Sequence, residues 1–248
     1  MLGKAAYADA ELTNTTWKPP AVPAFRVETG GMARVVSVNV GTPVAEEWAG
    51  RLGSTAIRKH AADGPVAVRT LGLEGDQVAD TQHHGGVFQA VYAFAEEDLA
   101  RWAARFGRPV RPGLFGENLT TSGLDVNEAV LGERWRIGTS VVSPVDVRIP
   151  CNVFKNWLGL NDVDNRAWVR RFTQDGRPGP YLRVLEEGHL RAGDEIVVED
   201  RPDHGVTVAT MFRAMTTEPA LLPLLLDVPG LSEQVYARAR ALRPGVQV

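Results

Sequence analysis

Cysteine is nearly absent: 248 residues contain one, Cys151. A single thiol excludes an intrachain disulfide framework and any Cys-x-x-Cys pair, and it fits a reducing, cytoplasmic compartment. Charge of one sign is lacking too. The formal net charge is −3, and only four of the 27 basic residues are lysines. Such a balance leaves no electrostatic footprint for nucleic acid. No run approaches the roughly 20 apolar residues of a membrane span. Tyr7, Asp9, Glu11 and Asn14 interrupt the stretch where a signal peptide would need its apolar core. Neither a phosphate-binding P-loop nor a GxGxxG turn between strand and helix is found.

What remains is ordinary for a folded chain: 44% apolar and 23% charged residues. Three segments are expected. Residues 1–32, rich in Ala, Thr and Pro, read as an irregular N-terminal arm whose Trp17 and Phe25 need cover elsewhere. Residues 33–200 carry many short extended runs separated by Gly/Pro turns. Val36, Val38 and Val40 share one face at period two, so 34–40 is predicted as a strand. Further strands are expected near 55–60, 66–69, 90–94, 140–143 and 181–185. Helices are expected over 96–106, with three acids in the first turn, over 152–158 and over 164–172. This pattern favours a mainly β barrel with short helices over alternating βα units. Residues 201–248 read as a linker and three short helices over 208–215, 220–226 and 232–242, with Ser232 as an N-cap. So small a segment is expected to pack on the barrel or on a second subunit, which would make a homodimer.

The lone thiol follows a proline and lies between Arg148 and Lys155, at a predicted strand-to-helix corner. Helix N–H groups and nearby cations favour a thiolate there. An inert buried thiol fits the local sequence equally well. Adjacent His83 and His84 make a poor zinc signal, because neighbouring side chains in extended chain point opposite ways. Two polar, glycine-bearing groups of loops accompany the thiol's own stretch at 148–151: Gly75-Asp76-Gln77 with His84-Gly85-Gly86, and 116–121. Their N–H, amide, hydroxyl and cationic donors together suit a polar, anionic heterocycle carrying phosphate.

The series Gly-Leu-x-Gly-Asp-Gln at 72–77, His-His-Gly-Gly at 83–86, Ala-Val-Tyr at 90–92, Phe-Gly-Glu-Asn-Leu-Thr at 115–120 and Arg-Ile-Pro-Cys at 148–151 resembles the MOSC domain. More narrowly it resembles the YiiM-like group, in which a three-helix tail follows that domain. The resemblance implies a β-barrel binding the molybdenum cofactor, a pterin dithiolene with a phosphate tail. It implies reduction of N-hydroxylated compounds such as hydroxylamino-purines or amidoximes, with electrons from a separate reductase, since the chain carries no flavin, haem or iron–sulfur signature. Cys151 would be the metal ligand, and Arg148 and Lys155 would balance the cofactor's negative charge. Asn118, Thr120, Gly85 and Gly86 would hydrogen-bond the pterin or its tail. Asp76, Gln77 and His84 would line the substrate side, with His84 relaying protons. A non-catalytic carrier of the cofactor or its sulfur is the alternative. Some MOSC domains are fused to pyridoxal-phosphate enzymes, but nothing here resembles that partner, so Lys155 is not expected to form a Schiff base. Asp146 departs from the pattern, standing beside a site expected to hold an anion.

Overall fold

The computed structural model describes residues 32–81 and 84–242. The arm's Trp17 and Phe25, and His83, lie outside the described residues. Strand β1 (Arg34–Val40) forms as its valines predict, but the face differs. Val35 and Val38 are buried while Val36 and Val40 are partly exposed, because the register shifts between Val35 and Ser37. A bulge inserts one residue and reverses the alternation beyond it.

Twelve further strands follow: β2 (Val44–Ala45), β3 (Ser54–Thr55), β4 (His60–Ala61), β5 (Val66–Arg69), β6 (Gly72–Leu73), β7 (Val91–Ala95), β8 (Leu119–Ser122), β9 (Arg134–Ile137), β10 (Ser140–Val147), β11 (Pro180–Glu186), β12 (Gly188–Leu190) and β13 (Ile196–Asp200). The main sheet runs β13-β9-β10-β11-β7-β8-β1-β4, with β12-β5-β6 and β2-β3 as smaller sheets. All its pairs are antiparallel except β7 with β8. Between those parallel strands runs helix α1 (Glu96–Phe106), the kind of crossover a parallel pair needs.

The fold is mixed and sheet-rich, with several helices. The strand ladder does not run round into the expected closed barrel. Among the described residues, β1 meets the approach to β13 at one bridge, Arg34 with Glu195. Backbone bonds from Val35 N to Asp194 O at 2.9 Å and from Ile196 N to Ala33 O at 2.7 Å flank it. β4 pairs only with the far end of β1, at Asn39 and Val40, and β13 reaches β1 only through that bridge and its flanking bonds, so the expected barrel is not confirmed as a continuous ladder.

Helices α2 (Asn152–Leu160) and α3 (Trp168–Asp175) follow the corner after β10. Phe154 on α2 and Trp168 and Phe172 on α3 are buried, and their rings pack with Phe115 and with one another at centroid distances of 5.1 to 6.5 Å. Trp102 of α1 joins them. This aromatic cluster seats α2, and with it the residue preceding α2, against the sheet.

The C-terminal segment holds α4 (Val208–Met215), a 3-10 helix at Pro219–Asp227 and α5 (Glu233–Ala241). Pro223 inside the middle element lacks the N–H that a longer α-helix would use. Ser232 caps α5, accepting from Val235 N at 3.3 Å. The segment is sewn to the sheet domain by bonds from Leu131 N to Val206 O and from Val208 N to Ala129 O, both 3.0 Å. Met211, Phe212, Leu222 and Val235 join the same apolar core as the strands. None of the helices among the described residues is long and apolar enough to cross a membrane.

Emptying the aromatic cluster should be costly. Phe154→Ala is expected to lower unfolding free energy by about 3–5 kcal/mol, read from urea denaturation at unchanged slope.

Candidate functional site

Strand β10 ends at Val147, and Arg148-Ile149-Pro150 continues without regular structure to Cys151, which occupies the N-cap of α2 with φ −130° and ψ 170°. The Cys151 carbonyl accepts from Lys155 N at 3.0 Å, while its side chain makes no capping bond. The thiol is partly exposed and lines a cavity of about 530 Å³. The same cavity is lined by Lys59, Asp76, Gln77, Tyr92, Gly116, Asn118, Arg148 and Tyr181.

Two buried cations characterise it. Arg148 is 9% exposed. Its guanidinium lies 5.1 Å from the Tyr92 ring and 4.9 Å from the Phe154 ring, a desolvated cation–π arrangement. Its Nε–H is buried without a hydrogen-bond partner. Burial works against its charge, but Tyr181, Tyr92 and Cys151 favour it, and the net shift is upward. Gly116, at φ +75°, brings backbone beside this group: a Cβ there would stand 3.7 Å from Arg148 Nη1 and 3.0 Å from the Ile57 side chain. Lys59, the other cation, forms an ion pair with Asp76 in which both side chains are more than nine-tenths buried. Burial pulls its pKa below the ordinary lysine value, and Asp76 opposes that pull.

Asp76 also accepts from Gly41 N at 2.7 Å and from Asn118 Nδ2 at 2.8 Å. The Asn118 amide is engaged at both ends, accepting from Tyr92 N at 3.0 Å and donating to Asn39 O at 3.1 Å. Beside it, the buried Glu117 carboxylate accepts from Gly113 N at 2.5 Å, Phe115 N at 3.0 Å and the Thr120 hydroxyl at 3.0 Å. Burial pushes Glu117 up to about 7 against those bonds.

Seven of the residues named from sequence therefore meet at one cavity: Cys151, Arg148, Asp76, Gln77, His84, Gly85 and Asn118. Three do not line it. Lys155 sits on α2 one turn beyond the thiol. Thr120 is fully buried, bonded to Glu117 and Asn39. Gly86 lies beside the cavity loop without facing it. Sequence reading missed Lys59, Tyr92, Gln89 and Tyr181. Two carried a signal: Lys59 as one of four lysines in an arginine-rich chain, and Tyr92 as the last residue of the Ala-Val-Tyr motif, to which no role was given.

The MOSC domain pattern matches residues 80–197. Over 174 residues the chain is 33% identical to YflK, an uncharacterized protein of Bacillus subtilis, covering 70% of this chain and 76% of YflK. It is 32% identical over 180 residues to a Gibberella moniliformis protein named reductase, covering 70% of this chain but only 31% of that protein. The crystal structure of YiiM from Geobacillus stearothermophilus matches with a TM-score of 0.68 at 28% identity, covering 84% of this chain and 98% of that one. The chain belongs to the MOSC domain family. Within that family it falls in the YiiM-like group.

Three carboxyls have raised pKa values, the buried Glu117 at about 7, the buried Asp98 at about 6 and the partly buried Asp146, each shifted chiefly by desolvation. A carboxyl with a higher pKa folded than unfolded binds more protons in the folded state. Its contribution is complete below the unfolded value and is lost as pH rises through the folded one. Thermal stability should therefore fall from about pH 5 to about pH 7.5, with Glu117 alone contributing on the order of 3 kcal/mol. Melting curves of wild type and Glu117→Gln should show the pH slope flattened in the variant.

Proposed function

We propose that this chain is a molybdenum-cofactor oxidoreductase that reduces N-hydroxylated compounds, hydroxylamino-purines or amidoximes, with electrons from a separate reductase. The observation that carries the reading is the chain's one thiol sharing a cavity with a buried guanidinium whose Nε–H has no partner.

The residues present fit that cofactor. Among the described residues no group of three or more His, Cys, Asp or Glu side chains is placed to hold a bare metal ion. A single soft thiolate suits a metal that arrives with most of its ligands, here the dithiolene sulfurs of a pterin. The buried Arg148 donor, without a partner at Nε, suits its anionic part. A volume of about 530 Å³ falls within the roughly 300–1,000 Å³ of small-molecule sites. The reductase name of one relative supports the reaction class.

In this reading Cys151 is the protein's ligand to molybdenum, and Arg148 anchors negative charge. Lys59 is neutralised by Asp76, and Asn118 holds Asp76 in place rather than contacting the pterin. The bound cofactor would supply the two-electron chemistry that separates oxygen from nitrogen. The overall conversion, R–NHOH plus two electrons and two protons to R–NH2 plus water, requires proton delivery. His84, exposed at the edge of the cavity, is the imidazole placed to take part in it.

Protein produced in a host that makes the cofactor is expected to carry about one molybdenum per chain, and Cys151→Ser to lose the metal or the activity. Elemental analysis finding no molybdenum in the wild type would overturn the proposal. Metal without reduction of a hydroxylamino-purine by an artificial electron donor would favour the carrier.

A further inference from the structure

The larger cavity is not polar throughout. Leu52, Leu71 and Val78, three of the large apolar side chains left exposed among the described residues, all line it. Single exposed apolar residues are ordinary, but several gathered at one opening mark a binding surface. None of the three lines the smaller adjoining cavity of about 300 Å³, between the end of β10 and the C-terminal segment. We propose that these three residues select the ligand. The molecule bound here carries an uncharged, apolar body of at least ring size, which rests against them while its polar end points to Arg148 and Cys151.

Each of the three is held on fixed backbone. Leu52 ends the 3-10 stretch Glu47–Leu52, which Gly53 closes at φ +66°. That stretch is fastened to α2, the helix whose N-cap is Cys151. Trp48 stacks on Trp157 with ring centroids 6.1 Å apart, and Asn156 Nδ2 donates to Trp48 O at 3.0 Å. Leu71 stands on the two-residue turn between β5 and β6. There Thr70 donates its N–H and its hydroxyl to Glu187 at 2.8 and 2.7 Å. Val78 follows Gln77, whose N–H donates to Gly41 O at 2.9 Å. Its side chain covers Gly85, where a Cβ would come within 3.2 Å of it. Apolar surface so placed is available without the ordering cost that a mobile loop would add.

The apolar wall is continuous with the polar end. Behind Leu52 it passes through the buried Ala49, Ala56 and Ile57, which line the same cavity. Ile57 meets the Gly116 turn that also reaches Arg148: a Cβ on Gly116 would stand 3.0 Å from the first and 3.7 Å from the second. A ligand can therefore touch the guanidinium and the apolar wall at once. Of the other charges in the lining, Lys59 is paired with Asp76. Arg51 is exposed and keeps its head in water above an aliphatic stem. The Asp80 carboxyl opposes a second negative charge on the ligand's body.

That this ligand is the substrate rests on the reductase reading; the binding preference does not. Cofactor-free full-length protein would be titrated calorimetrically with benzoate, 2-naphthoate and quinate, the last a carboxylate on a hydroxylated ring. Naphthoate should bind about tenfold more tightly than benzoate, with the more negative heat-capacity change that apolar burial gives. Quinate should bind more weakly than benzoate. Leu71→Ser combined with Val78→Ser should bring naphthoate to within about twofold of benzoate. Should melting curves show that pair of substitutions misfolded, Leu52→Ser replaces it. The proposal is overturned if naphthoate binds no tighter than benzoate, or if quinate matches benzoate. It is overturned too if the variant keeps the wild-type preference, or if no probe binds at millimolar concentration. The titration needs neither metal nor turnover. Absence of molybdenum would sink the reductase reading and leave the preference standing, whereas molybdenum with a flat titration would sink the preference alone.

Discussion

The larger cavity depends on one buried carboxylate. Asp76 is held by the Lys59 ammonium, the Gly41 N–H and the Asn118 amide. Asn118 in turn ties the start of β7 to the end of β1 through Tyr92 N and Asn39 O. Residues distant in sequence are thereby fixed around one space. Removing either partner of a buried ion pair costs on the order of 3–5 kcal/mol because the other charge is stranded. The pair therefore constrains the cavity wall more than it stabilises the fold.

Around that clamp, charges are buried in contrasting ways. Lys59 is neutralised by its own carboxylate. Arg148 is surrounded by aromatic and phenolic groups that leave its Nε–H free. A cation kept charged in a desolvated place, with a donor to spare, is prepared for an anion that arrives later. Glu117 does structural work beside it, gathering the N–H groups of Gly113 and Phe115. That holds the turn carrying Gly116 against the guanidinium.

The C-terminal segment supplies a cavity wall as well as the packing that its size suggests. Its α4 and α5 complete the apolar core and close a second compartment over Asp146. Asp146, out of place beside an anion when read in sequence, faces a different cavity. The conflict eases because Asp146 lines the smaller of the two adjoining cavities and not the larger.

Local chemistry was legible in the chain itself. Period-two valines made β1, Gly107 and Pro109 ended α1, Ser232 capped α5, and a proline before the lone thiol set it at a strand-to-helix corner. Those signals depend on near neighbours, which a sequence displays. The bulge that turned Val35 rather than Val36 inward, the bridge between β1 and the approach to β13, and the withdrawal of Thr120 and Lys155 from the cavity depend on contacts between distant segments. So does the recruitment of Lys59, which reaches Asp76 because β4 pairs with the end of β1 and Gly41, just after β1, bonds Asp76 and Gln77. The sequence determined that a thiol, cations and glycine loops belonged to one protein of the MOSC family. Tertiary structure alone decided which of them share a cavity, because burial and pairing arise between residues that the chain keeps far apart.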